Sequence, residues 1–295
     1  LVCFPYFGYN SRRIWNLGDE SMTTQIIAHR GASYLANHEN TIEAYQIALD
    51  IHTDCIEFDV RQTLDKVLVL FHDEQLNGVS VKALTYHQLC VQSESLGYHI
   101  PTLEETLKLC QKKVHLLVEL KEAGYEKRVL SLLQTYFSYD EYSVQSFLDI
   151  VVRRVKHIDP QVRTGLLLGV EHADLNVRFN EFFPARRLRE CMADFVSVHY
   201  RIATPDFLFR MKGIGFPVYV GSVDEPRMIT RFLEEEADGI ITNRPDVGLY
   251  LRTRHEREKE QSDERKTRTY NLMKHGFRKL TTKRSKHKNG SQPNN

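Results

Sequence analysis

Short apolar runs of four to seven residues alternate along the chain with longer stretches whose apolar positions recur every three to four residues. Residues 25–29, 55–60, 67–71, 114–120, 142–146, 162–168, 195–198, 218–223 and 239–242 read as strands by length and β-branched content. Between most of them lie amphipathic stretches, 41–50, 103–111, 124–137, 148–158, 205–212 and 226–236, that read as helices. Strand and helix alternating on this scale predict an α/β protein with a parallel sheet, and about eight units predict closure into a (β/α)8 TIM barrel. Nine strands are then one too many, so either one is extra or 67–71 folds back on its predecessor as a hairpin. An open doubly wound sheet is the alternative, but no GxGxxG opens the chain.

Helix-start signals support this register. Asn40-Thr41-Ile42-Glu43 reads as a capping box, which gives Asn40 a capping role, and Thr102 stands before Leu103-Glu104-Glu105 as a second cap. Pro205 and Pro226 occupy places where first-turn prolines belong. Residues 73–101 have little periodicity and several turn residues, and past about Arg252 charge dominates down to a GSQPNN end of disordered composition. The chain therefore divides into an N-terminal extension (1–21), a barrel domain (22–251) and a basic, low-complexity tail (252–295) expected to be disordered. Met22 directly precedes the first strand, so residues 1–21 are expected to be an over-extended reading frame; a poorly ordered N-terminal arm is the competing reading.

Charge sharpens that division. The formal net charge is +1, yet residues 252–288 carry 14 Lys/Arg against 5 Asp/Glu, a local +9 that leaves the remainder at −8. Tyr270, Met273, Phe277 and Leu280 fall at helical spacing within the basic stretch; a solvated flexible tail is the expected reading, with weak attraction to anionic lipid as the alternative. No base-reading element accompanies the charge, so nucleic acid is not an expected partner. Five cysteines, odd in number and never paired as CxxC, indicate neither a disulfide framework nor a zinc site and fit a cytoplasmic setting. No apolar run reaches the roughly 18 residues of a membrane-spanning helix.

Chemistry-bearing residues cluster at the predicted strand ends: His29-Arg30-Gly31, Glu39-Asn40, Glu57-Phe58-Asp59, His72-Asp73 and Glu119-Leu120-Lys121. Residues two apart on a strand face the same way, so Glu57 and Asp59 can grip one hard cation, with a third oxygen from Glu119. Apolar neighbours Cys55, Ile56, Phe58 and Val60 argue against an exposed strand face, and acids in a buried strand need a compensating cation or partner. Oxygen donors without a Cys or His cluster favour one divalent cation, Mg2+ or Ca2+, over zinc. Arg30 can hold two phosphate oxygens at once, and Lys121 can act as a point charge or form a salt bridge to a neighbouring carboxylate. A phosphodiester needs this combination: charge neutralisation, a base for the nucleophile and an acid for the leaving alkoxide.

The ordered segments IIAHRGA, HENT, IEFDV, FHDE, PTLEE, VELK and DGIITNRP resemble those of the glycerophosphodiester phosphodiesterases, over about residues 25–250 and in the compact bacterial form. The resemblance implies metal-dependent hydrolysis of small glycerophosphodiesters to sn-glycerol 3-phosphate and an alcohol. It implies His29 and His72 as acid and base in an order left open, Glu57, Asp59 and Glu119 as metal ligands, and Lys121 as the family's lysine. Glu39 is expected to orient Arg30 or the substrate glycerol, Asn40 to add a contact with substrate or His29, and Asp73 to orient His72 or cap the next turn. Phe147 of Ser146-Phe147 either lines the pocket or packs in the core. Three departures stand out: His38 replaces a proline, Gly221-Ser222-Val223-Asp224 lacks the tryptophan of a W-T-V-D/N motif, and Asn243 replaces Asp in DGIITDRP, a change expected to touch loop hydrogen bonding more than chemistry. Losing the indole removes a cation-binding face and makes choline an unexpected headgroup. A lysophospholipase D or phosphoinositide-cleaving enzyme and a non-catalytic phosphodiester-binding barrel are the alternative functions; headgroup and oligomeric state are not legible.

Overall fold

The computed structural model describes residues 23–169 and 181–286, with side chains described through Thr267 and at Tyr270 in the last helix. Among these residues the strands are β1 (Gln25–Ala28), β2 (Cys55–Gln62), β3 (Leu68–Leu70), β4 (Gln75–Leu76), β5 (Val79–Ser80), β6 (His115–Leu120), β7 (Tyr142–Ser146), β8 (Arg163–Leu168), β9 (Phe195–His199), β10 (Val218–Gly221) and β11 (Gly239–Thr242). The order β1-β11-β10-β9-β8-β7-β6-β2 is parallel throughout, and β1 pairs back to β2, so eight strands close the expected barrel. The ninth predicted strand is β3, which folds back antiparallel on β2 as a hairpin.

Both faces of these strands are buried, as in parallel sheets covered by crossover helices. The strand period sorts the faces of β2. Ile56, Phe58 and Val60 pack outward in one core with Tyr45 and Ala48 of helix Ile42–Asp50 and Leu103 and Leu107 of helix Leu103–Cys110. Cys55 points the other way and joins Ile27, Leu117, Phe195, Tyr219 and Ile241, which converge from six strands to form the barrel floor. Glu57 and Asp59 continue that inward row toward the carboxyl end of β2, and Asp59 pairs in register with Glu119 of β6. Two acidic strands thus meet above an apolar floor.

Helix starts follow the expected chemistry with one correction. Thr102 and Glu105 form a reciprocal capping box, and Pro205 and Pro226 stand at helix starts. At the first helix, however, the cap is Thr41, whose side chain accepts the Ala44 N–H, and Asn40 lies one residue outside with a left-handed φ of 53°. Residues 73–101 are also more ordered than their weak periodicity implied. Asn77-Gly78, both at positive φ, turn the β4–β5 hairpin, and Thr85 and Gln88 cap helix Tyr86–Ser95. Helix Ala185–Cys191 was likewise not foreseen.

In the second unit, from Tyr250, helix Pro245–Lys286 runs through residues 252–286. Arg252–Glu256 and Arg254–Glu258 pairs join successive turns, and side chains 257–267 are exposed. Residues 1–22 and 287–295, which include the N-terminal extension, lie outside the described residues, as do the side chains of Met273, Phe277 and Leu280. No described helix is long and apolar enough to cross a membrane.

Leu107 is fully buried between helix and barrel. Leu107→Ala is expected to cost about 2–5 kcal/mol, read as a lower urea midpoint with an unchanged circular dichroism spectrum.

Candidate active site

The turn after β1 is built to bring backbone against Glu57. Arg30 adopts a left-handed φ of 54°, which aims its N–H at Glu57 Oε2, 3.0 Å away. Gly31 follows at φ 80°, and a Cβ there would lie 2.7 Å from the Ala44 backbone carbon, so this turn admits only glycine. The Arg30 side chain places Nε 3.1 Å from Asp59 Oδ2 and donates from Nη1 to Glu39 Oε1 at 2.7 Å. Of the two partners expected for Glu39, Arg30 is the one it contacts.

Asn40 is buried and grips Asp59 from two sides. Its Nδ2 donates to Asp59 Oδ2 at 2.9 Å, while its Oδ1 accepts the Asp59 N–H at 3.3 Å and the Tyr45 hydroxyl at 2.9 Å. Lys121 supplies the opposite wall, with Nζ 2.9 Å from Asp59 Oδ1 and 2.6 Å from Glu119 Oε1. The salt-bridge reading of Lys121 is thus realised, at the edge of the carboxylate cluster.

Glu57, Asp59 and Glu119 bring one oxygen each within 4.8 Å of one another, all buried. Burial raises all three carboxyls. At Asp59 the charges of Lys121 and Arg30 outweigh it and hold the group below the usual range. At Glu57, burial together with the neighbouring charges of Asp59 and Glu119 pushes the group well up, and Glu119 rises to about 7. Arg30 and Lys121 bring two positive charges to three acids. The cluster keeps a net negative charge, and three hard oxygen donors this close together fit the divalent cation that the acid pattern implies.

The two imidazoles are held differently. His29 Nε2 lies 4.0 Å from Glu57 Oε2 and Nδ1 lies 2.7 Å from Asn243 Oδ1, and burial with the Arg30 charge brings its pKa down to about 4. His72 follows β3, with Nδ1 2.8 Å from Asp73 Oδ1, so Asp73 takes its orienting role; burial and then Lys121 lower the His72 pKa. The His72 carbonyl accepts from Arg61 Nε at 2.9 Å and Nη2 at 2.7 Å, and Arg61 Nη1 donates to Glu122. Phe147, directly after β7, is 37% exposed and hence no core residue, and its carbonyl accepts from Arg187.

Two contributors escaped the sequence reading. Arg61 extends the 57-59-61 row of inward positions, a spacing that carried the signal. Asn243 was assigned to its loop, yet its side chain touches His29 directly, and only the barrel's closure of β11 on β1 brings residues 214 positions apart together.

The class defined by this geometry is a barrel enzyme of metal-assisted phosphate-ester chemistry. Residues 29–247 match the Glycerophosphoryl diester phosphodiesterase family, and the chain belongs to it. A glycerophosphodiester phosphodiesterase of Bacillus altitudinis is 33% identical over 253 residues, covering 78% of this chain and 98% of that protein. Its counterpart in Caldanaerobacter subterraneus is 28% identical over 253 residues with the same coverage. Among solved structures, a glycerophosphodiester phosphodiesterase from Parabacteroides distasonis superposes with a TM-score of 0.66 at 25% identity, covering 80% of this chain and all of that one. A phosphodiesterase of Oleispira antarctica in complex with the product sn-glycerol-3-phosphate gives 0.66 at 20% identity, covering 78% of this chain and 96% of that one.

Arg61→Met removes both hydrogen bonds to the His72 carbonyl. The expected result is a fall in kcat of at least about tenfold, since charge-assisted hydrogen bonds are worth ~1.5–3 kcal/mol, with Mg2+ affinity by calorimetry unchanged.

Proposed function

We propose that this enzyme hydrolyses small glycerophosphodiesters to sn-glycerol 3-phosphate and an alcohol, with His29 as the base and His72 as the acid. The observation that carries the reading is the pairing of two separately supported imidazoles with one buried carboxylate cluster. A binding protein needs the charge but has no use for the imidazole pair. The small substrate accords with the product bound by the Oleispira antarctica relative.

Glu57, Asp59 and Glu119 would hold the cation, Mg2+ or Ca2+, which supplies charge neutralisation at the phosphoryl oxygens. Arg30 and Lys121 stand at the edge of that cluster, where a phosphate anion completes their pairing. His29 is desolvated and faces a neutral amide, so its lone pair is available at neutral pH. Its Nε2 takes the proton of the glycerol hydroxyl as that oxygen bonds to phosphorus. The bond from phosphorus to the headgroup oxygen breaks, and that oxygen takes a proton from His72, whose Nδ1 lies 2.8 Å from Asp73 Oδ1. Water then opens the cyclic phosphate with the two imidazoles in reversed roles. Free thiols at Cys55, Cys90, Cys110 and Cys191 support a reducing, cytoplasmic setting.

Glycerol 3-phosphate release from glycerophosphocholine, -ethanolamine and -glycerol tests the reading. Release is expected with Mg2+ or Ca2+, to be abolished by EDTA and to fall at least about 100-fold in His29→Ala. Failure to cleave any of the three would refute the substrate class. Glu57→Gln is expected to weaken Mg2+ binding in calorimetry by about tenfold or more, because an amide brings no charge to the cluster.

A further inference from the structure

His29 belongs to a hydrogen-bonded chain that begins at Asp224, just beyond β10. Asp224 Oδ1 accepts the backbone N–H of Asn243 at 2.8 Å and the Thr242 hydroxyl at 3.1 Å, and Oδ2 accepts Asn243 Nδ2 at 2.7 Å. Asn243 Oδ1 in turn accepts the Ser33 hydroxyl at 2.8 Å and lies 2.7 Å from His29 Nδ1. A carboxylate can only accept, so the Asn243 group facing it is the NH2 and the group facing His29 is the carbonyl.

We propose that Asp224 and Asn243 are positioning residues that fix the tautomer of His29, holding its proton on Nδ1 and leaving Nε2 as the only basic ring atom. A carbonyl oxygen offers no proton, so the ring nitrogen beside it must carry one. Nε2, which lies 4.0 Å from Glu57 Oε2, then keeps its lone pair on the side of the carboxylate cluster. The amide thereby does for His29 what a carboxylate does for His72, without adding charge. The catalytic part of this proposal rests on His29 acting as base, whereas the tautomer itself does not.

The network dictates an unusual variant. In Asp224→Asn, the backbone N–H of Asn243 and the Thr242 hydroxyl still demand an acceptor, so the new amide must turn its oxygen to them and its NH2 to Asn243. Asn243 is then forced to flip, its own NH2 faces His29, and the proton moves to Nε2. Exchanging the two groups, in Asp224→Asn with Asn243→Asp, restores an acceptor opposite His29 and a donor opposite that acceptor.

The test is a 15N–1H multiple-bond spectrum of histidine-labelled, Mg2+-loaded enzyme, with His29 assigned by its loss in His29→Gln. Wild type is expected to carry the proton on Nδ1, Asp224→Asn on Nε2, and the exchanged pair on Nδ1 again. In parallel, kcat is expected to fall at least about 100-fold in Asp224→Asn with KM within about threefold, and to recover in the exchanged pair by most of that factor. A purely structural role would not be repaired by the exchange. Should Asp224→Asn fail to fold, Asn243→Leu leaves the ring without its acceptor and is expected to give both tautomers. An Nδ1 proton retained in Asp224→Asn, or a single unchanged tautomer in Asn243→Leu, overturns the proposal. An inactive wild type that still shows Nδ1–H would refute the function of the site but not the tautomer lock.

Discussion

Three carboxylates confined above an apolar floor impose the constraint that organises the rest of this barrel. At an effective dielectric of about 20, two like charges 4 Å apart repel by about 4 kcal/mol, and burial adds a desolvation cost for each. Almost every polar group near them answers that cost: the Arg30 N–H at Glu57, the Asn40 amide at Asp59, and Lys121 between Asp59 and Glu119. The answer is incomplete by one charge. That residue of negative charge makes the cluster a cation site, and the raised carboxyls of Glu57 and Glu119 are the same deficit seen from the proton's side.

Compensation also places Arg30, Lys121 and the two imidazoles. Arg30 turns its backbone left-handed to set its N–H on Glu57 and carries its side chain to Asp59, while its neighbour His29 lies with Nε2 4.0 Å from Glu57 Oε2. Lys121 directly follows the strand that carries Glu119 and lies two residues beyond it, with its Nζ 2.6 Å from Glu119 Oε1 at the cluster. The imidazoles differ in the charge of their partners, an amide for His29 and a carboxylate for His72. Two histidines at the mouth of one site are thereby made chemically unequal.

The alternation of short apolar runs with amphipathic helices carried the barrel, because each parallel strand is buried on both faces and each helix on one. Period-two spacing carried Glu57 and Asp59 for the same reason. Asn40 was harder to read: an Asn before Thr-x-x-Glu looks like a cap, and only the left-handed turn at Asn40 moves that duty to Thr41 and frees the amide for Asp59. Asn243 was harder still. Its partner lies at the other end of the domain sequence, and no local pattern announces a contact that depends on β11 closing against β1. In the 73–101 stretch, capping and turn chemistry at Thr85 and Asn77-Gly78 governed structure where hydrophobic period was weak.

His72 owes its place to a hairpin and not to a barrel strand. β3 runs back along β2, with Val60 opposite Leu70 and the Phe71 N–H on the Asp59 carbonyl, so the imidazole is delivered in a register set by the strand that carries Glu57 and Asp59. A slip of one residue in that pairing would turn the row of side chains to the opposite face. Evolution therefore meets two unequal segments side by side. The turn at residues 63–67 can lengthen or shorten and leave the ladder intact, whereas a single insertion or deletion at 68–71 displaces the His72 imidazole without touching its codon.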